Sequence, residues 1–189
     1  MRLIRQSEVQ ARGGKCARFP TSCVVRDLLA EAGVLKPFKR IRILDMTFGE
    51  GRFWAAIPNA EVWGFDVRRL EWVVEPKRFF MKSCENWRKE DEVMRQRFDL
   101  VVADPPFSPY HRGWQKRNHY RARGEIALIL YEARKASLYF GAPLLVHFMG
   151  RFQFWGFHIV AEAWYLGSYS LARNRFPSWF GVLAPEVGE

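Results

Sequence analysis

Cysteine is scarce in this 189-residue chain, and metal-ligand spacing is missing. Cys16, Cys23 and Cys84 form no C-x-x-C pair. An odd count without such a pair argues against a disulfide framework and against a cysteine-based zinc site. The four histidines, His111, His119, His147 and His158, show no ligand spacing either, so no structural metal is expected. No apolar run reaches the roughly 18 residues of a membrane span. The first residues, Met-Arg-Leu-Ile-Arg-Gln-Ser-Glu, lack the apolar core of a signal peptide. The expectation is a soluble, cytoplasmic protein. Repeats and low-complexity tracts are absent too, which excludes a solenoid or a long linker.

Two nucleotide-binding signatures are incomplete or missing. An apolar run from Ile41 to Met46 leads into Asp45-Met-Thr-Phe-Gly49-Glu-Gly51-Arg-Phe. A dinucleotide loop wants G-x-G-x-x-G, its third glycine allowing close helix packing. Trp54 stands at that third position and argues against NAD. The phosphate loop G-x-x-x-x-G-K-[ST] is absent, which disfavours ATP hydrolysis. Asp45 adds negative charge before the glycines, unhelpful beside a pyrophosphate but suited to a cofactor with a cationic amino-acid end. Taken alone, G-x-G also fits an ordinary strand-to-helix turn.

What is present describes one α/β domain. Hydrophobic residues make up 49% of the chain, enough for a sizeable core. Residues 1–19 are basic, contain Gly13-Gly14 and read as a mobile arm before a single domain over 20–189. Pro20-Thr21-Ser22 starts a helix carrying Val24, Val25, Leu28, Leu29 and Ala32, closed by Gly33. Strands are expected at 41–46, 62–66, 79–82, 100–103, 143–149, 157–166 and 178–183. Further helices are expected from about Gly51, over the charged segment 85–97 and over 126–140. Strands alternating with helices imply a mostly parallel sheet with crossovers.

The stretch Phe98 to Phe107, Phe-Asp-Leu-Val-Val-Ala-Asp-Pro-Pro-Phe, carries the most chemistry. An apolar strand delivers Asp104 to its C-terminal end, the edge where open α/β sheets bind ligands. Pro105 and Pro106 fix the backbone and remove two N–H donors. A carboxylate, outward carbonyls and the Phe107 ring can bind and stack on a planar molecule bearing an amino group. The plainer reading is a turn whose Asp caps a helix. Asp66 ends the neighbouring strand 21 residues after Asp45 (66 − 45 = 21). At that distance a carboxylate can accept both ribose hydroxyls.

Asp45…Gly49-x-Gly51, Asp66 and Asp104-Pro105-Pro106-Phe107 together resemble the class I S-adenosylmethionine-dependent methyltransferases. More narrowly, they resemble the amino-methyltransferases with a D/N/S-P-P-aromatic motif, which methylate exocyclic amino groups of nucleobases or, in one branch, glutamine amides. The resemblance spans 41 to about 150, and the Gly156-Phe157 strand and following hairpin are similar as well. It implies a Rossmann-like methyltransferase fold: a seven-stranded, mostly parallel sheet, helices on both faces and a C-terminal antiparallel hairpin. The implied cofactor is S-adenosylmethionine, held by Thr21, Asp45, Thr47, Phe48, Gly49, Gly51, Asp66, Val67, Cys84 and Asp104. The implied catalytic group is Asp104, Pro105, Pro106 and Phe107. Where the family usually supplies an acid to the cofactor adenine, this chain has Ser83, Cys84 and Glu85. Gly150 to Trp155 is too short for the usual crossover helix, and no separate target-recognition domain is expected.

Net charge is +10 and the pI about 9.9, an argument about partners rather than fold. Directly after the Asp104 motif come Tyr110, His111, Arg112, Trp114, Lys116, Arg117, Tyr120, Arg121 and Arg123. Cations that neutralise phosphates, interleaved with rings that stack on unpaired bases, fit a nucleic-acid rim around the pocket. A solvated surface loop is the plainer alternative. Arg2, Arg5, Arg12, Lys15 and Arg18, with Arg173 and Arg175, can assist, whereas Trp155, Trp164 and Trp179 read as core. The function expected is N-methylation of a nucleobase, in structured RNA (rRNA or tRNA) before DNA. A protein partner, or the loop itself, would supply target choice. A protein glutamine substrate fits less well, because that branch has Asn where Asp104 stands. An RNA-binding scaffold with a relict fold is the non-enzymatic alternative.

Overall fold

The computed structural model describes residues 2–105, 123–167 and 177–186. One eight-stranded sheet runs in the order β1-β7-β8-β6-β5-β2-β3-β4. Its strands are β1 (Leu3–Arg5), β2 (Ile41–Asp45), β3 (Ala60–Phe65), β4 (Arg78–Phe80), β5 (Leu100–Ala103), β6 (Leu144–Phe148), β7 (Phe157–Leu166) and β8 (Ser178–Pro185). All pairings are parallel except those of β8 with β6 and β7. Among the described residues the helices are α1 (Gln6–Gln10), α2 (Gly14–Arg18), α3 (Pro20–Glu31), α4 (Asp91–Met94) and α5 (Arg123–Phe140). This is the Rossmann-like methyltransferase fold with a C-terminal antiparallel hairpin.

Strand β5 is apolar throughout because both sheet faces are covered there. Leu100 and Val102 of β5 join Val24, Val25, Leu28 and Leu29 of α3 in one core. Val101 and Ala103, pointing the other way, join Ile129, Leu130 and Ala133 of α5 in the second. α3 begins with Pro20, whose missing N–H costs nothing in a first turn.

Several expectations change. The sheet has eight strands, not seven, because Leu3–Arg5 pairs with Trp164–Leu166 at the edge. The segment expected as a free arm holds β1, α1 and α2, with Val9 and Cys16 buried. Near Gly51 there is only one 3₁₀ turn, Arg52–Trp54. The charged segment splits into a 3₁₀ stretch, Cys84–Lys89, and α4. Cys16 and Cys23 form a disulfide, contrary to the sequence expectation. The corner at Phe19 turns α2 onto α3 and brings their buried faces together, so no C-x-x-C spacing is needed. Trp179 is buried as expected, but Trp155 is 91% exposed and outside the core. No helix among the described residues is long and apolar enough to cross a membrane.

Candidate functional site

Strand order reverses between the parallel neighbours β2 and β5: β3 and β4 extend to one side, β6 to the other. At such a switch point the loops leaving the strand ends diverge and open a crevice. Asp45, Asp66 and Asp104 stand at or just beyond the C-terminal ends of β2, β3 and β5. Three carboxylates thus share one edge, with β2 in the middle.

Asp45 is buried, and each of its oxygens accepts a hydrogen bond. Its Oδ2 accepts from the Trp54 indole N–H at 2.9 Å, its Oδ1 from the Thr47 backbone N–H at 3.0 Å. Trp54, the residue that spoils a dinucleotide loop, is here the donor that holds the first carboxylate. Burial still pushes the Asp45 carboxyl up to about 7. The Thr47 and Trp54 hydrogen bonds oppose this rise, while the charges of Asp104 and Asp66 add to it. The Thr47 hydroxyl accepts from the Asp104 backbone N–H at 2.7 Å. Thr47 therefore ties the end of β2 to the end of β5.

The glycine loop is shaped partly by its own aromatic residue. Phe48 is buried against Trp72 and Phe79. A Cβ on Gly51 would lie 2.7 Å from Phe48 Cζ and 2.8 Å from the Val74 carbonyl oxygen, and its φ is +71°. A Cβ on Gly64 of β3 would lie 2.5 Å from Phe48 Cγ. These positions are glycine because the Phe48 ring fills the space beside them.

Asp66 accepts from the Gly49 N–H at 3.1 Å through Oδ2 and from the Arg68 N–H at 2.9 Å through Oδ1. Burial raises its carboxyl above the ordinary range, against the pull of those amides. Each oxygen retains acceptor capacity for a hydroxyl. Met46, Asp66, Val67, Lys82, Ser83, Cys84 and Ile129 line a pocket beside it. Val67 and Cys84 both line this pocket. Cys84 is a buried thiol, raised to about 12 by burial and by the charge of Glu132, so it is a neutral wall rather than a nucleophile.

Asp104 continues from β5 into Pro105 and is partly exposed. Its Oδ1 lies 2.9 Å from His147 Nδ1. The other ring nitrogen, Nε2, lies 2.9 Å from Ser178 Oγ. The imidazole stacks on Phe180, with centroids 3.8 Å apart, and meets the edge of Phe53. Sequence reasoning dismissed His147 because it lacked metal spacing; only the adjacency of β5 and β6 joins residues 43 positions apart. Thr21 lies beside the Tyr165 hydroxyl. Its neighbour Ser22 donates to the Phe53 carbonyl and accepts from the Ala56 N–H, both at 2.7 Å, fastening α3 to the turn after the glycine loop.

Pro106, Phe107, Tyr110, His111, Arg112, Trp114, Lys116, Arg117, Tyr120 and Arg121 lie outside the described residues, as do Arg173 and Arg175. Arg123 opens α5, its side chain likewise outside them.

No family model matches the sequence, and no curated protein matches it. Among solved structures, an rRNA methylase from Streptococcus thermophilus is similar at 15% identity, covering 85% of this chain and 94% of that one, with a TM-score of 0.51. Magnesium protoporphyrin IX methyltransferase from Synechocystis PCC 6803, with bound S-adenosylmethionine, is similar at 15% identity, covering 87% of this chain and 78% of that one, with a TM-score of 0.50. At such identity the likeness establishes the fold. Two such different acceptors on one fold leave the substrate to be argued from the site.

Proposed function

We propose that the protein transfers a methyl group from S-adenosylmethionine to an exocyclic amino group of a nucleobase, with structured RNA as the substrate class. The observation that carries this reading is Asp104: a partly exposed carboxylate at the switch point, anchored from behind through its own N–H and beside through His147, and followed by proline.

The residues at the strand ends fit the cofactor. In this reading Asp45 would face the cationic amino-acid end and Asp66 the ribose, with Val67, Ser83 and Cys84 lining the crevice beside Asp66. Similar folds are known with S-adenosylmethionine bound. The cofactor supplies an electrophilic methyl on a sulfonium. The chain supplies positioning and electrostatics. Asp104 accepts one amino hydrogen and the Pro105 carbonyl the other, orienting the nitrogen lone pair towards the methyl. Transfer would break the methyl–sulfur bond, its electron pair staying on sulfur as a neutral thioether; the positive charge passing to nitrogen would lie beside the Asp104 carboxylate, which would stabilise it, and the surplus proton would leave through Asp104 or to solvent. The amine becomes acidic only then, so no strong base is required beforehand. Phe107 would stack on the base. A duplex buries that amino group, so the target is single-stranded or flipped out. The basic, aromatic run 110–123 matches an RNA partner in composition.

The test is incubation with labelled S-adenosylmethionine and RNA, DNA or protein extracts, followed by identification of the modified residue. Label in a methylated nucleoside from RNA is expected. Absence of transfer to any nucleic acid refutes the reading, and label in glutamine assigns the other amino-methyltransferase branch. Asp104→Ala should still bind the cofactor by calorimetry and lose turnover.

A further inference from the structure

The reading above uses Asp104 but leaves unexplained why a buried histidine and a serine are aligned behind it. Asp104 Oδ1, His147 Nδ1, His147 Nε2 and Ser178 Oγ form one chain across β5, β6 and β8, with 2.9 Å at each link. An ionised carboxylate only accepts, so Nδ1 carries the proton towards Asp104. In the neutral ring Nε2 then accepts, and the Ser178 hydroxyl can donate to it at 2.9 Å in preference to the Tyr165 carbonyl at 3.4 Å. Phe180 against the ring face and Phe53 at its side restrict rotation of the imidazole. The other Asp104 oxygen, Oδ2, has no hydrogen-bond partner among the described residues.

We infer that His147 is a positioning residue for the transfer: it fixes the plane of the Asp104 carboxylate so that Oδ2 faces the acceptor amine, and Ser178 fixes the His147 tautomer. This rests on the amino-methyltransferase reading. An unanchored carboxylate would rotate about its Cβ–Cγ bond and sample unproductive hydrogen-bond geometries. Misplacement of a positioning group by about 1 Å costs on the order of 100-fold in rate.

Two substitutions separate hydrogen bonding from packing. His147→Asn places an amide nitrogen where Nδ1 stood, keeping the bond to Asp104 while losing the ring stack. His147→Phe keeps the stack on Phe180 and loses the bond. The inference expects His147→Phe to lower kcat by about 10- to 100-fold, with cofactor Kd unchanged, and His147→Asn to recover most of the loss. A structural role predicts the reverse order, with Phe active and Asn impaired. That reverse order, equal impairment of both, or no effect of either overturns the inference.

A second measurement does not depend on turnover. The ¹⁵N signals of the neutral His147 imidazole should report protonation at Nδ1 in the wild type. Asp104→Ala and Ser178→Ala should each shift it towards a tautomer mixture. If the wild-type protein methylates no nucleic acid, the function proposal falls, and this spectrum still decides the chain. An Nε2-protonated ring, or one indifferent to both substitutions, overturns it.

Discussion

The buried Asp45 should make the stability of the ligand-free protein fall as pH rises towards neutrality. Its carboxyl is held at about 7 against a reference near 3.8, chiefly because burial penalises its charge. Between those values the folded chain holds a proton that the unfolded chain has released. Proton uptake then favours the fold, so the stabilisation is present at acidic pH and is lost as pH rises through the folded pKa. The slope approaches about 1.4 kcal/mol per pH unit inside the window. Integrated from pH 5 to pH 8, it amounts to about 2–3 kcal/mol, or about 5–10 °C in Tm for a chain of this size. Urea unfolding at pH 5, 6, 7 and 8, on the wild type and on Asp45→Asn, measures it. The Asn amide cannot titrate, and it costs a constant amount because its NH₂ meets the Trp54 or Thr47 donor. Subtracting the two curves removes the histidines and exposed carboxylates. A difference that stays flat across the range refutes the reasoning. A cationic ligand beside Asp45 should pull the proton off, so cofactor affinity should rise over the same interval.

Thr47→Val removes the hydroxyl that accepts the Asp104 N–H; a loss of about 1–3 kcal/mol by denaturant titration is expected, together with a fall in turnover. Gly51→Ala meets both a φ of +71° and the Val74 carbonyl at 2.8 Å. It should cost at least about 2 kcal/mol, and Phe48→Leu in that background should recover only the part due to the ring. Reduction of Cys16–Cys23, which closes a short loop, should lower unfolding stability by about 2 kcal/mol, and the Cys16→Ser, Cys23→Ser double variant should become insensitive to reductant.

The parallel strands were legible because burial on both faces leaves a plain signature: Leu100 to Ala103 is uninterrupted apolar sequence and ends at a carboxylate. β1 was not legible, since three residues with an arginine at an edge carry no periodicity. The helix expected after Gly51 shrank to one turn because Ala55 to Asn59 must return quickly to β3, and Pro58 stops any continuation. At the site, sequence spacing put Asp45, Asp66 and Asp104 at strand ends, where the structure has them. It missed His147 and Ser178, whose placement depends on which strands are neighbours and on the antiparallel return of β8. The disulfide escaped for the same reason: a corner between two short helices sets its geometry.

Phe48 has a thermodynamic consequence for anything that binds at the strand ends. Loops rich in glycine ordinarily lose much backbone freedom when a ligand orders them, and that loss weakens affinity. Here the ring has already been seated against Gly51 and Gly64 by folding itself, and Asp66 already holds the Gly49 amide. The entropy of shaping the loop is spent during folding rather than at association. The glycines therefore serve two clients: they leave room for a guest, and they let the protein occupy its binding conformation before the guest arrives.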